Sequence, residues 1–170
     1  MLTRHRSRAA HRVHITVRNI RPDDLNAVVE LDARVFGEPR PAYFERRLAA
    51  LDRGDPKSQN ICLIAEDSGT GTIVGFVMGT LTSGEFGFTE VTALVDSIAV
   101  QPSWRRRGIG RQLASDFIAE SARRGARDVY TLVNWSSWEM LKFFDSMSFS
   151  LAQTVPLRRR IAETQSEERQ

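Results

Sequence analysis

The sequence predicts an α/β fold in one domain, with a mixed central sheet of about six or seven strands flanked by about four helices, and three observations predict it. Apolar runs of strand length and segments of helical spacing follow one another in the order βααβββαβαβ. The strand–helix–strand run over 91–134 calls for a parallel pair with a right-handed crossover, whereas the short turns elsewhere call for antiparallel neighbours. With 170 residues, 41% of them hydrophobic, the chain can fill one sizeable core and is short for two.

Residues 14–20 alternate apolar and polar side chains as a half-buried strand does. Arg21-Pro22-Asp23-Asp24 stops that strand and opens a helix, in which Leu25, Val28, Val29, Leu31 and Val35 recur at helical spacing until Gly37. Residues 38–53 read as a second helix with Tyr43, Phe44, Leu48 and Leu51 inward. Segments 60–66 and 72–82 flank the turn Asp67-Ser68-Gly69-Thr70-Gly71 and form a hairpin, and 83–89 is a loop. Val91–Val100 is apolar on both alternate faces apart from Asp96 and Ser97, as a central strand covered on both sides is. Residues 109–124 form a helix that buries Leu113, Phe117 and Ile118, and Gly125 stands where a C-terminal stop belongs. A strand over 128–134, a last helix over 138–147 and one or two strands over 149–161 complete the domain. It spans 13–162, with a disordered basic extension over 1–12 and a disordered tail over 163–170.

The net charge is only +3, yet 22 of the 24 basic residues are arginine, Lys57 and Lys142 being the exceptions. Twenty-one carboxylates nearly balance them and no recognition motif is present, so a nucleic-acid-binding module is a remote reading and no nucleic-acid partner is expected. The single cysteine, Cys62, excludes an intrachain disulfide framework and fits a reducing compartment; within Ile-Cys-Leu-Ile-Ala it reads as a small core residue. All three histidines, His5, His11 and His14, fall at the N-terminal end, which deprives hydrolase and metalloenzyme readings of their usual parts, and no metal is expected. No apolar run approaches the ~20 residues of a membrane span. The opening segment has no apolar core of a secretory signal, and although its composition suits organelle transit, a basic extension of a cytoplasmic protein is the simpler reading.

The chemistry concentrates in residues 95–111, where an apolar strand runs into a basic, glycine-punctuated turn that opens a helix. The first amides of a helix lack intrahelical partners and carry the positive end of its dipole, so the N–H groups of residues 106–111 form an anion site. Gly108 and Gly110 let a phosphate approach the backbone closely. The spacing is neither that of a dinucleotide fingerprint, which needs a third glycine, nor that of a Walker loop, which needs Gly-Lys-Ser/Thr. Arg105-Arg106-Arg107-Gly108-Ile109-Gly110 fits Arg/Gln-x-x-Gly-x-Gly/Ala after a strand ending Ile98-Ala99-Val100-Gln101-Pro102, and this resembles the acetyl-CoA loop of the GNAT-type N-acetyltransferases.

The resemblance covers residues 15–161 and implies a GNAT-like single domain using acetyl-CoA as co-substrate. It implies that the backbone of Ile98, Ala99 and Val100 pairs with pantetheine, that Arg105, Arg106, Arg107, Gly108, Ile109, Gly110 and Arg111 hold the pyrophosphate, and that the two central parallel strands splay to admit the pantetheine arm. The Ile98 N–H is the candidate for polarising the thioester carbonyl. The ammonium of an acceptor, with a pKa near ~10.4, must lose a proton, and Asp96 is the candidate base. Period-two alternation places Asp96 on the same face as Ile98 and Leu94; a strand-edge carboxylate paired with an arginine is the equal alternative. Glu85 and Glu90 are runners-up, as bases or as rim contacts to a cationic acceptor.

The last helix departs from the family pattern. Aligned back from Met147-Ser148-Phe149, which stands where Leu-Gly-Phe is usual, Ser137 takes the position of an asparagine and Phe144 that of a proton-donating tyrosine. Either Tyr43, Tyr130 or a water then protonates the CoA thiolate, or the thiolate leaves unprotonated. Ser148 for glycine implies a less strained turn, and Ser137, Trp138, Leu141 and Phe144 are candidate CoA contacts. The activity expected is direct acetyl transfer to a primary amine on a small molecule or peptide, away from membranes. An acyl-CoA-binding sensor without turnover is the alternative, and the homodimer frequent among look-alikes is left open.

Overall fold

The structure is a computed structural model that describes residues 14–52, 59–83 and 89–159. The elements run β1 (Ile15–Asn19), α1 (Leu25–Phe36), α2 (Pro41–Asp52), β2 (Asn60–Asp67), β3 (Thr72–Ser83), β4 (Val91–Val100), α3 (Ile109–Arg123), β5 (Asp128–Thr131) and α4 (Trp138–Asp145). The chain divides into two compact units, one ending at Leu132 and the other beginning at Val133. The expected extensions over 1–12 and 163–170 lie outside the described residues.

The first unit holds one sheet in the order β1-β2-β3-β4-β5, antiparallel throughout except for the parallel β4–β5 pair. The crossover through α3 therefore lies where the sequence predicts it. The sheet has five strands among the described residues, not six or seven, because 149–159 forms no strand. Leu151, Val155 and Leu157 are 81%, 76% and 95% exposed there, so the segment gains nothing from burial, and Pro156 has no N–H to give a ladder.

Both faces of the sheet are covered, which is why β2 and β3 read as continuous apolar runs. On one face Ile61, Leu63, Val74, Val77, Ala93 and Val95 pack on Ile109, Leu113 and Phe117 of α3. On the other, Cys62, Ile64, Phe76, Met78 and Ala99 meet Val28 and Leu31 of α1 and Phe44 and Leu48 of α2. Burial pushes the Cys62 thiol up to about 12, so it stays protonated and serves as a core residue.

Helix α1 stops at Gly37, whose φ of +90° suits the left-handed cap and whose N–H donates to the Ala33 carbonyl at 2.8 Å. Before α1, Arg18 grips both Asp24 and Glu66, and the Arg18 guanidinium holds the Asp24 carboxyl below the usual carboxylate range. A depressed carboxylate stabilises the fold above its unfolded pKa of ~3.9 and ceases to do so as pH falls through its lower folded value.

In the second unit α4 ends in a tight turn at Ser148. The expectation of a less strained turn is wrong, since Ser148 takes φ +66°, a conformation that disfavours every residue with a Cβ. The Ser148 N–H donates to Asp145, the Phe149 N–H donates to Phe144, and the Phe144 and Phe149 rings pack 5.0 Å apart, which together hold the serine there. Ser148→Gly is expected to raise stability by about 1 kcal/mol, read from the urea midpoint of unfolding.

Candidate active site

The site is built on β4. Met78 of β3 pairs with Ser97 and the next residue, Gly79, pairs with Val95, so Asp96 is the extra residue of a β-bulge. The bulge breaks the alternation on which the sequence expectation rested, and Asp96 and Ile98 do not share a face. Ile98 packs with Val100 on the α3 side, whereas Asp96 and Ser97 both turn toward α1 and α2, where they meet Arg47 and Arg40. Strand β4 thus presents a carboxylate to one face while its backbone remains available at the edge.

That edge is open. The β4–β5 ladder ends at Val95 opposite Thr131, and the expected strand over 128–134 stops at 131, so β4 runs on past its parallel neighbour. The Gln101 N–H donates to the Val74 carbonyl on the β3 side, whereas the Val95 carbonyl accepts from Thr131 Oγ1 and the Val100 carbonyl accepts from Arg105 Nε at 3.2 Å. Since backbone direction alternates along a strand, the N–H and C=O of Ile98 also point to the edge that β5 leaves uncovered. Ala99 points back to β3. Asp96 shows the same opening: the residue is exposed while its side chain is only 18% exposed, so the surface reached by solvent is main chain.

Downstream of β4 the chain makes a short 3₁₀ turn, Pro102–Trp104, and then the basic loop. Arg106 at φ +60° and Gly108 at φ +82° are both left-handed, an arrangement that bends successive N–H groups toward one concavity. Gly108 is the N-cap of α3; no side chain caps the helix and its first turn carries no acid. Ile109, 3% exposed, ties the turn to the core, while Gly110 is half-buried. Arg105, Arg106, Arg107 and Arg111 are exposed, and the Arg107 guanidinium lies 4.9 Å from the centre of the Trp104 ring. Trp104 itself packs on the α3-side core. A side-chain-uncapped, acid-free helix start beside three arginines is suited to an anion with several oxygens.

Behind the bulge stands a network that the sequence did not reveal. Arg47 of α2 pairs with Asp96 and donates to Asn60 Oδ1 at 2.6 Å. Asp32 of α1 is fully buried and takes two hydrogen bonds from Arg40, which also reaches Ser97 Oγ at 3.2 Å. The Arg40 and Arg47 guanidiniums flank the Tyr43 ring at 5.2 and 5.4 Å from its centre. The Tyr43 hydroxyl is buried with no hydrogen-bond partner, and burial together with the Asp96 charge raises its pKa. Burial likewise raises the Asp96 carboxyl above the usual range, opposed by Arg47. Of the two alternatives for Asp96, the carboxylate paired with an arginine is the one seen, and burial raises that carboxyl.

Of the remaining candidates, Glu85 lies outside the described residues, and Glu90 is exposed and paired with Arg127 at 2.7 Å. Tyr130 stands on β5 opposite Leu94. In the second unit Ser137 is the N-cap of α4, Trp138 is 69% exposed, Leu141 is half-buried, and Phe144 is buried against Phe143 and Phe149. Among the described residues no cluster of histidine, cysteine or carboxylate side chains could hold a metal, and no helix is long and apolar enough to cross a membrane.

Comparison with known proteins agrees with this geometry. A transcriptional regulator from Bacillus halodurans is 22% identical with a TM-score of 0.71, covering 87% of this chain and 100% of the other. Aminoglycoside N-acetyltransferase AAC(6')-Iy in complex with CoA is 17% identical with a TM-score of 0.71, covering 88% and 97%. Glucosamine-6-phosphate N-acetyltransferase from Arabidopsis thaliana is 13% identical with a TM-score of 0.70, covering 88% and 99%. At these identities the likeness is one of fold. Among curated sequences none matches significantly. The model of the acetyltransferase (GNAT) family matches residues 25–145, most of the chain and all of the bulged strand and basic turn, and the chain belongs to that family.

Proposed function

We propose that the protein is an N-acetyltransferase that moves the acetyl group of acetyl-CoA directly to a primary amine on a small molecule or peptide. The observation that carries this reading is the uncovered edge of β4, which leads from Ile98 straight to the side-chain-uncapped start of α3. An extended amide-bearing arm fits such an edge as an added strand, and a diphosphate fits the N–H groups of residues 108–111 with the Arg105–Arg107 guanidiniums beside them. The Val100 carbonyl already accepts from Arg105 Nε and keeps a second lone pair to offer the arm.

In the reaction the acceptor nitrogen, relieved of its proton by Asp96, bonds to the thioester carbon. The Ile98 N–H supports the negative charge that gathers on the carbonyl oxygen. As the C–S bond breaks, its electron pair goes to sulfur, and the second proton of the acceptor nitrogen passes through water to the thiolate or, where the thiolate leaves unprotonated, to solvent. With Phe144 at the position of the family's tyrosine, no phenol is assigned to the leaving group from α4.

Isothermal calorimetry tests the first step. Acetyl-CoA is expected to bind saturably, and Gly108→Val to weaken binding about 10- to 100-fold, because a side chain at φ +82° strains the turn that aims charge-assisted amides at phosphate. No binding by the unaltered protein at millimolar acetyl-CoA would remove the enzymatic reading.

A further inference from the structure

Around the bulge the charges come in two pairs, and the pairs differ. Arg40 is committed: it bonds to both oxygens of the fully buried Asp32, lies over the Phe36, Tyr43 and Phe44 rings and reaches Ser97. Releasing it would strand a carboxylate in the core, which is costly. Arg47 is held more lightly, by neutral Asn60 and by Asp96, and both members of the Arg47–Asp96 pair keep about a fifth of their side-chain surface open. The base candidate therefore sits engaged by a guanidinium, with a second guanidinium and a buried phenol donor close by.

This arrangement discriminates between amines. An ammonium that docks on Asp96 competes with Arg47 for one carboxylate and leaves that guanidinium without its anion, so a plain or polycationic amine is disfavoured. An amine that carries its own carboxylate removes the conflict. Its carboxylate takes Arg47 in the two-pronged geometry natural to that pair, its ammonium takes Asp96, and every charge keeps a partner. The Tyr43 O–H offers the same carboxylate a further donor.

We propose that Arg47 is the specificity-determining residue of the acceptor site and that the acceptor is a primary amine bearing a carboxylate a few bonds from its nitrogen. The proposal rests on the acetyltransferase reading above. It separates this chain from its aminoglycoside-modifying structural neighbours, for a polycation brings no carboxylate to Arg47.

The test is thiol release from acetyl-CoA with amino carboxylates having one to three methylenes between nitrogen and carboxylate. Each is run beside the alkylamine that lacks the carboxylate and the diamine that replaces it by a second amine. The best amino carboxylate is expected to exceed its alkylamine by about 10- to 100-fold in kcat/KM, the worth of a charged hydrogen bond, with the diamine lowest. Arg47→Gln is expected to erase that ratio mainly through KM, and Arg47→Lys to restore part of it. Acetyl-CoA affinity, measured by calorimetry on the same proteins, keeps the two ideas apart. Loss of cofactor binding by the unaltered protein sinks the acetyltransferase reading. With the cofactor bound, a diamine preferred to the amino carboxylate, a ratio that survives Arg47→Gln, or turnover of no amine in the set overturns the role of Arg47.

Discussion

Asp96→Asn is expected to lower kcat/KM by about 10²- to 10⁴-fold, the range by which a positioned proton acceptor contributes, while acetyl-CoA affinity stays within a factor of two or three. The substitution keeps an oxygen that can accept from Arg47, so the bulge and the Arg47–Asn60 contact persist and the loss falls on proton removal. Thiol release and calorimetry on the same preparation read the two quantities separately. Retention of more than a third of the turnover would leave Asp96 as a strut for Arg47 and nothing more.

The pH dependence follows from the same surroundings. Burial raises the Asp96 carboxyl and Arg47 opposes it, with burial prevailing. A base works only when ionised, so kcat/KM is expected to fall as pH drops through a value above the ordinary carboxylate pKa of ~3.9. Removing the opposing cation in Arg47→Gln moves that acidic limb further up. The stability contribution has the opposite sense. A carboxyl raised in the folded state favours the fold below its unfolded pKa and stops doing so as pH rises through the folded one, so Asp96 is a residue that the fold carries at a cost at neutral pH.

Much of this site is legible in the chain because it is local. Residues 98–111 lie within one strand–turn–helix, so the apolar run, Pro102, the arginines and the two glycines state both the backbone path and its charge. The Arg47–Asp96 and Arg40–Asp32 pairs are different in kind. Arg47 and Asp96 are 49 residues apart, and one of 22 arginines in a helix carries no mark of which carboxylate it meets. Asp32 did leave a trace, an acid immediately after Leu31 on a helix whose apolar stripe runs through Val28, Leu31 and Val35. A charge on a buried stripe requires a partner, and Arg40 eight residues on is within reach of it.

The bulge is invisible to period-two alternation. That alternation presumes an unbroken ladder, and one extra residue reverses every side chain beyond it, so the common face it gives Asp96 and Ile98 does not survive the insertion. Two polar residues in succession, Asp96 and Ser97, inside an apolar strand were the available sign. The strands expected over 149–161 are absent from the described residues 149–159 for another reason: apolar residues are necessary for a strand, but Leu151, Val155 and Leu157 lie exposed and Pro156 interrupts the donor row.

Gly79→Ala is expected to cost at least about 3 kcal/mol, near the upper end of overpacking effects, and to lower the melting temperature by roughly 6–12 °C for a domain of this size. Gly79 pairs with Val95 directly beside the extra residue, where the bulged strand swings inward. A Cβ there would run into the Leu94 carbonyl oxygen and lie 2.6 and 2.8 Å from two ring carbons of Phe117. Neither neighbour can yield cheaply, since the oxygen belongs to the backbone of β4 and Phe117 is fully buried in the α3-side core. Gly75, four residues earlier, meets the Ala99 carbonyl oxygen and the movable tip of Leu113 at 3.0 Å, a milder crowding, so Gly75→Ala serves as the comparison. Whatever relief the chain finds at Gly79 must push β4 outward at the point where Asp96 leaves the ladder and Ile98 turns its amide to the open edge. Any folded fraction of Gly79→Ala should therefore lose turnover out of proportion to its lost stability, whereas Gly75→Ala, which crowds Ala99 and not the bulge, should lose less of both. Equal activity per folded molecule in the two variants would show that the bulge and the chemistry are separable.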